Sequence, residues 1–431
     1  MQRLSLLPAI LLSLALSVPL AHAAEPAHAW LASWTASPQA VWRSDFLFPS
    51  NVPAVLHGQT VRQVARLSVG GPRVRIVLSN AYGKAPLRIG AATVALAASG
   101  SAIEAGSLRT LTFAGQPAAS VAPGAPLVSD PVELSVPDLA RLTVSIHLPQ
   151  ASPVSTFHWD GRETAWIAPQ DQTRAARIDD APGVQTTTAR LLLSAIQVEA
   201  APGAQAVVIL GDSISDGATA SLGMDARWPD FLARRLAPHG VAVINAGISG
   251  ARLLSDGMGD NAQARFERDV LAQPGVRTVV VLLGINDISW PGTAFAPRQK
   301  RPTLEELTNG YTQLIAQARS RGVRVIGATL TPFEGALPGT PLSNYYQPEK
   351  DALRQQVNAW IRASGSFDAV LDFDALARDP AHPLRLLPAY DSGDHLHPGD
   401  AGNRALAEGI DLPLLFNKNQ SPRPAYKAVL K

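Results

Sequence analysis

The chain has 431 residues, of which 46% are hydrophobic and 17% charged, a composition typical of a folded globular protein that excludes a disordered one. Its formal charge of +2, with lysines and arginines scattered along the chain, provides no basic patch for nucleic acid or an anionic membrane surface. The 0 cysteines exclude disulfides, thiolate chemistry and cysteine-ligated zinc, and the length predicts two domains.

The first 23 residues predict a secretory signal peptide. Arg3 supplies a positive start, residues 6–20 form an apolar run, and Ala21-His22-Ala23 has the small-residue pattern of a cleavage site. This apolar run is short for a bilayer span, and no other stretch reaches about 18 apolar residues. We therefore expect an exported protein without a membrane span, located in the periplasm or the medium.

Residues 24–200 predict an antiparallel β-sandwich. The runs 74–78, 92–96 and 142–146 are apolar or alternating, and turn signals rich in glycine and proline separate them. Five of the 8 tryptophans lie here: Trp30, Trp34, Trp42, Trp159 and Trp166. Their side chains are expected either to pack in the core or to form a platform on which sugars stack. A linker is predicted at 200–204, and we expect the parts on either side of it to have separate cores.

Residues 201–431 alternate predicted strands with predicted helices. The strands are expected at 207–210, 241–244, 278–283, 323–328 and 369–373. Thr303 and Glu306 form a capping box, which predicts a helix that begins at Leu304 and ends at Gly322. This alternation predicts a five-stranded parallel sheet with helices on both faces.

Polar residues follow several of these strands at the point where each strand ends. Because the carboxyl ends of parallel strands meet at one edge of the sheet, we expect these residues to lie close together. They include a serine, two glycines, an asparagine and an aspartate–histidine pair: Ser213, Gly247, Gly250, Asn286, Asp394 and His397. A serine hydroxyl needs an adjacent base, an imidazole needs an orienting carboxylate, and a tetrahedral oxyanion needs amide donors. The set therefore contains what acyl transfer requires.

The four motifs around these residues, in this order, resemble the GDSL or SGNH hydrolases, a family of serine esterases and acylhydrolases. The resemblance implies an α/β fold with a flavodoxin-like, five-stranded parallel sheet in residues 201–431. The segments 30–34 and 74–80 are similar to the β domain that precedes the hydrolase domain in some bacterial and fungal members. An antiparallel β-sandwich domain at 24–200 is thus expected on both grounds.

Carried over to this sequence, the resemblance implies that Ser213 is the nucleophile, His397 the general base and Asp394 its orienting partner. It implies that the oxyanion donors are the amides of Ser213 and Gly250 and the side chain of Asn286. Gly247 is the alternative to Gly250, which is preferred because the family's glycine follows the serine of this loop.

Other readings of the same residues stay open. His395 is an alternative base, and Asp391 with His395 and His397 is an alternative metal site, although no further cluster completes a ligand set. Turn formation through local backbone amides is expected for three aspartates: Asp212, Asp216 and Asp287. An α/β-hydrolase is excluded, since Ser215 stands where the Gly-x-Ser-x-Gly elbow demands glycine.

The sequence therefore predicts a secreted serine ester hydrolase that works through an acyl-enzyme with no cofactor and no metal. The expected substrates are small-molecule or polysaccharide esters with short, chiefly acetyl, acyl groups. The loops that carry the site are small and polar apart from Trp290, which we expect to contact the substrate. The alternatives are a lipase for longer acyl chains and a non-catalytic carbohydrate-binding protein on a hydrolase scaffold.

Overall fold

The computed structural model describes residues 29–180, 182–200 and 203–416. The predicted signal peptide at 1–23 lies outside the described residues. Within the described ranges, no helix combines the length and the apolar character that crossing a membrane would need.

The described residues up to Ala200 form short strands that pair antiparallel. The strands are β1 (Ala29–Thr35), β2 (Gln39–Ala40), β3 (Val55–Leu56), β4 (Gln59–Arg66), β5 (Gly71–Ser79), β6 (Leu87–Ile89), β7 (Ala91–Leu96), β8 (Arg109–Thr110), β9 (Ala119–Val121), β10 (Pro126–Val128), β11 (Val132–Val136), β12 (Arg141–Leu148), β13 (Ser152–Pro153), β14 (Thr156–His158), β15 (Ala165–Pro169), β16 (Gln185–Thr187), β17 (Arg190–Leu191) and β18 (Leu193–Ala200).

Two larger sheets organise this antiparallel part. One has the order β1-β18-β5-β10, with β11 also paired to β5, and the other has the order β16-β15-β4-β12-β7-β8. The smaller sheets are β17-β14-β2, β13-β3 and β6-β9. On β5, Val74, Ile76 and Leu78 are buried while Arg73 and Arg75 are partly exposed, because alternate side chains point to opposite faces of a strand.

The second part is a parallel sheet of β19 (Gln205–Gly211), β20 (Val241–Asn245), β21 (Val276–Leu282), β22 (Arg324–Ala328) and β23 (Ala369–Leu371). Its order is β20-β19-β21-β22-β23, which is the flavodoxin-like order 2-1-3-4-5. Every residue of β19 is buried, because this interior strand is covered on both faces. The predicted fold class is confirmed.

Helices join these strands: α1 (Ser213–Asp216), α2 (Trp228–Leu236), α3 (Ala262–Phe266), α4 (Ile285–Ser289), α5 (Leu304–Ser320), α6 (Pro348–Ala363), α7 (Phe373–Ala377) and α8 (Asp400–Glu408). Short 3₁₀ turns occupy Ala237–His239 and Leu412–Leu414, and a π-helical turn occupies Glu267–Leu271. Helix α5 begins with the predicted capping box of Thr303 and Glu306.

The two parts share one apolar core. The largest cluster of buried apolar side chains contains residues of both parts and extends from Leu31 on β1 to Leu415. Hydrogen bonds also join them: the Thr35 hydroxyl donates to the Asn245 carbonyl at 3.0 Å, and the Val243 amide donates to Ser68 Oγ at 2.7 Å. The expectation of separate cores is therefore wrong, while the predicted boundary near residue 200 stays a prediction.

Candidate active site

Ser213 stands at the carboxyl end of β19 as the first residue of α1. The Asp212 carboxylate caps this helix by accepting the Ile214 amide at 3.0 Å. A side chain on Gly211 would lie 2.2 Å from Ser215 Oγ, so the turn from strand to helix is tight enough to require glycine there. Backbone geometry thus delivers the Ser213 hydroxyl to the rim of the sheet.

The structure brings Ser213, His397 and Asp394 into one hydrogen-bonded chain. His397 Nε2 lies 2.8 Å from Ser213 Oγ, and His397 Nδ1 lies 2.6 Å from Asp394 Oδ2. The other Asp394 oxygen accepts the amides of Leu396 and His397 at 2.9 and 2.8 Å. Burial alone would raise the pKa of Asp394, but its hydrogen bonds and the charge of His397 hold it well below the usual range. Asp394 is therefore an ionised carboxylate against the imidazole.

The amides available for an oxyanion can be distinguished by their partners. The Gly247 amide donates to Asn245 Oδ1 at 2.8 Å and is already satisfied. Among the described residues, the amides of Gly250 and Ser213 have no acceptor. Gly250 has a φ of 72°, a conformation that favours glycine. These contacts favour Gly250 over Gly247 as a donor.

The carboxamide of Asn286 is oriented from both ends. Its nitrogen donates to the Ala251 carbonyl at 3.1 Å, and its oxygen accepts the Tyr345 hydroxyl at 2.8 Å. Because the Ala251 carbonyl takes one of the two N–H groups of the Asn286 nitrogen, the second N–H is the group left to donate to a ligand. Asn286 lies on α4 directly after β21, at the same sheet edge as Ser213.

The three aspartates expected in turns, Asp212, Asp216 and Asp287, differ in what their carboxylates bind. Asp212 is fully buried, and burial raises its pKa to about 7. Burial also raises the pKa of Asp287 to about 6, although its carboxylate accepts the amides of Leu253 and Leu254 at 2.7 and 2.9 Å. Turn formation describes Asp212 alone, because Asp216 and Asp287 bind the loop that follows β20.

The alternative base and metal site find no geometric support. His395 Nδ1 lies 2.5 Å from Asp391 Oδ2, and its side chain is 48% exposed. It is His397 that contacts Ser213. Within the part of the chain that the structure describes, no group of three or more histidine, aspartate or glutamate residues could hold a metal ion.

Trp290, which the sequence led us to expect at the substrate, packs against other side chains of the protein. It is 3% exposed, stacks on Phe295 with ring centroids 4.3 Å apart, and lies beneath the Arg252 guanidinium at 4.9 Å. A side chain on Gly250 would meet the Trp290 ring at 2.8 Å. Trp290 therefore supports the glycine loop from behind, where a substrate cannot reach its faces.

Sequence reasoning missed residues that come from distant segments. Tyr345, which orients Asn286, lies in a loop before α6, and His158, which contacts Asp216 at 3.0 Å, belongs to β14. It named Trp42 and Trp159 but missed the phenylalanines that lie with them in a group of partly exposed rings, which we call the aromatic patch: Trp42, Phe46, Phe48, Trp159 and Phe295. The cluster of tryptophans in the antiparallel part was the available signal for this patch.

The aromatic patch packs beside the candidate site. Its rings lie 4.5 to 5.7 Å apart and come from both parts of the chain. They rest on the buried cluster that contains Leu396 and Ile285, the sequence neighbours of His397 and Asn286.

The sequence profile of the GDSL-like Lipase/Acylhydrolase family matches residues 209–405. A catalytic mutant of Axe2, an acetylxylan esterase from Geobacillus stearothermophilus, is 24% identical over 49% of this chain and 94% of its own, with a TM-score of 0.36. The acetyl xylan esterase AlAXEase is 20% identical over 47% of this chain and 96% of its own, with a TM-score of 0.35. A protein from Desulfitobacterium hafniense DCB-2, described as lipolytic and of the G-D-S-L family, is 21% identical over 48% of this chain and 97% of its own, with a TM-score of 0.35. No curated protein matches the chain.

Proposed function

We propose that this carboxylic ester hydrolase of the GDSL-like lipase/acylhydrolase family, whose profile matches residues 209–405, is an exported enzyme. We further propose that it removes short acyl groups, chiefly acetyl, from carbohydrates. The proposed chemistry is acyl transfer through Ser213. The observation that carries it is the chain of hydrogen bonds from Ser213 through His397 to Asp394, at 2.8 and 2.6 Å.

In the proposed reaction, His397 Nε2 takes the proton of the Ser213 hydroxyl as Oγ attacks the ester carbonyl carbon. The ionised Asp394 keeps the other proton of the imidazole on Nδ1 and stabilises the imidazolium that forms. When the tetrahedral intermediate collapses, His397 returns the proton to the departing alcohol, which leaves an acyl-enzyme on Ser213. Water then repeats the sequence and releases the acid.

Three donors are proposed for the oxyanion of each tetrahedral intermediate: the amides of Ser213 and Gly250 and the Nδ2 group of Asn286. Donors that are held in advance cost no reorganisation when charge develops, so they lower the barrier and leave ground-state binding little changed. The bond from Tyr345 to Asn286 supports this role, because it fixes which end of the carboxamide can donate.

The surroundings of the site support a short acyl group and a carbohydrate alcohol. Met258, Trp290 and Tyr345 are buried beside Gly250 and Asn286, so this flank is already filled by the protein's own side chains. The aromatic patch offers partly exposed aromatic rings, which we propose contact the sugar.

The substrate proposal is tested by kcat/KM for nitrophenyl esters of rising chain length, together with acetate release from acetylated polysaccharides. Efficiency is expected to fall from acetyl and butyryl esters to decanoyl and longer ones. An acyl chain gains about 0.8 kcal/mol per buried methylene only where apolar walls receive it. An optimum at the longest chains would reject the short-chain proposal in favour of a lipase.

The mechanism is tested with matched variants. Ser213→Ala and His397→Ala should each abolish nearly all turnover, because nucleophile and base act as a unit. Asn286→Ala should lower kcat by roughly 10² to 10³, the cost of one oxyanion donor. The controls are Ser392→Ala and His395→Asn, an exposed serine and a half-exposed histidine of the same rim, which should keep wild-type turnover. Loss of activity in His395→Asn but not in His397→Ala would reverse the base assignment.

Export is tested separately by N-terminal sequencing of protein recovered from the periplasm and medium of an expressing bacterium. A start at Ala24 supports export with cleavage after residue 23, and a cytosolic protein that retains Met1 contradicts it.

A further inference from the structure

The loop that carries Gly250 is attached to the antiparallel part of the chain by a buried contact between a histidine and an aspartate. His158, on β14, places Nε2 3.0 Å from Asp216 Oδ1 at the end of α1. His158 and Asp216 are 4% and 2% exposed. The contact therefore crosses from the antiparallel part to the helix of Ser213 without solvent access.

Both ring nitrogens of His158 face acceptors. Nδ1 lies 3.1 Å from the Ser37 carbonyl, which can only accept, and Nε2 faces the Asp216 carboxylate. Burial would raise the pKa of Asp216, but the charge and hydrogen bond of His158 lower it, so Asp216 is ionised. The contact is thus a buried one between the His158 imidazole and an ionised carboxylate.

Asp216 uses its second oxygen to hold the residue before Gly250. Asp216 Oδ2 accepts the Ser249 amide at 2.9 Å and the Ser249 hydroxyl at 2.8 Å. With Ser249 held on one side and the Ala251 amide bonded to the Ile248 carbonyl at 2.9 Å on the other, the Gly250 peptide has little freedom. The position of Gly250 depends on His158 through one carboxylate.

A second attachment reaches the same loop from the other side. Gln39 Nε2 and Trp42 Nε1, both from the antiparallel part, donate to the Met258 carbonyl at 2.7 and 2.9 Å. The Met258 side chain in turn lies against Gly250, where an added Cβ would be 2.5 Å from its sulfur. Gly250 is therefore enclosed between two contacts that the antiparallel part supplies.

From this geometry we propose that the antiparallel part is a working component of the active site, and that His158 is a positioning residue which sets the Gly250 amide for the oxyanion through Asp216 and Ser249. This inference rests on the proposed acyl transfer and adds to it a role for the antiparallel part, residues 29–200. In this proposal the antiparallel part positions a catalytic donor and does not act only as a separate substrate-binding module.

The test compares His158→Leu with His147→Leu in the full chain. His147 is a histidine of the same part whose ring faces Asp171 at 3.8 Å, away from Gly250. For nitrophenyl acetate, His158→Leu should lower kcat about 10- to 100-fold with KM changed less than about twofold, because a misplaced donor weakens only the transition state. The rate of inactivation by diethyl nitrophenyl phosphate, whose adduct places a phosphoryl oxygen at the oxyanion position, should fall by a similar factor. His147→Leu should change neither rate.

Asp216→Asn keeps the test decisive if His158→Leu does not fold. Its carboxamide can still accept from Ser249 while donating to a neutral His158, so kcat should fall less than in a folded His158→Leu and still clearly below the wild type. Assays are made below the melting temperature of each variant, as determined by circular dichroism. Wild-type kcat and inactivation rates in folded His158→Leu or Asp216→Asn, or a change in KM alone, would overturn the proposal. If Ser213→Ala also kept turnover, the acyl-transfer proposal itself would fail, so the two failures are distinguishable.

Discussion

Replacing Gly250 by alanine would place a methyl group where the structure has no room for one. The added Cβ would lie 2.5 Å from Met258 Sδ and 2.8 Å from Trp290 Cζ2. Met258 can rotate away, but Trp290 is buried and stacked on Phe295, so it cannot move without disturbing the core. The loop itself must therefore shift.

The cost of this substitution has two components. The φ of 72° is unfavourable for any residue with a Cβ by about 1–2 kcal/mol, and overpacking against a rigid ring adds about 1–3 kcal/mol. A displacement of about 1 Å in a catalytic donor can lower turnover by about 10². We expect Gly250→Ala to reduce kcat for nitrophenyl acetate by about 10² while KM stays close to the wild-type value.

Gly292 provides the matched control, because its φ is 82° and an added Cβ would have nothing within 4 Å. Gly292→Ala carries the same backbone penalty without the clash, so it should lose stability in thermal unfolding but keep its kcat. Adding Met258→Ala to Gly250→Ala removes one of the two clashes and should restore part of the rate. Restoration should be incomplete because the clash with Trp290 remains. Wild-type kcat in folded Gly250→Ala would refute the argument that a rigid wall sets the position of this amide.

Three further predictions concern Asp212, Tyr345 and the linker. Burial raises the pKa of Asp212 in the folded protein to about 7, above the ordinary 3.8 of an aspartate, so the folded protein holds a proton that the unfolded chain releases. The free energy of unfolding therefore falls as pH rises between these values. In urea titrations, the free energy of unfolding of Asp212→Asn should rise relative to that of the wild type by on the order of 2 kcal/mol as pH increases from 5 to 8. A difference between the two proteins that does not change with pH would contradict the buried acid. Tyr345→Phe should lower kcat about 10-fold by freeing the Asn286 carboxamide, and it fails as a prediction if kcat is unaltered. Limited proteolysis should cut first at 200–204 and leave two fragments that stay associated through the shared core, whereas first cuts inside either part would count against the boundary.

The sequence by itself determined the fold class and the residues to compare at the sheet edge. Five apolar runs alternating with helical patterns are sufficient for a parallel sheet, because strands buried on both faces have few other arrangements. Parallel strands bring their carboxyl ends together, so Ser213, Asn286 and the 394–397 segment could be grouped before any coordinates were known. The capping box at Thr303 was equally local and was found at the predicted position.

Only the tertiary structure decided which glycine amide is free, where Trp290 lies and how the two parts meet. The Gly247 amide is occupied by the Asn245 side chain, Trp290 is buried by Phe295 and Arg252, and His158 reaches Asp216 across 58 positions of the chain. Local periodicity reports which face of an element is apolar, but it does not report which distant element covers that face. The continuous core and the buried pair of His158 and Asp216 arise from the packing of the antiparallel part against the parallel sheet and its helices, and that packing is a property of the folded chain as a whole.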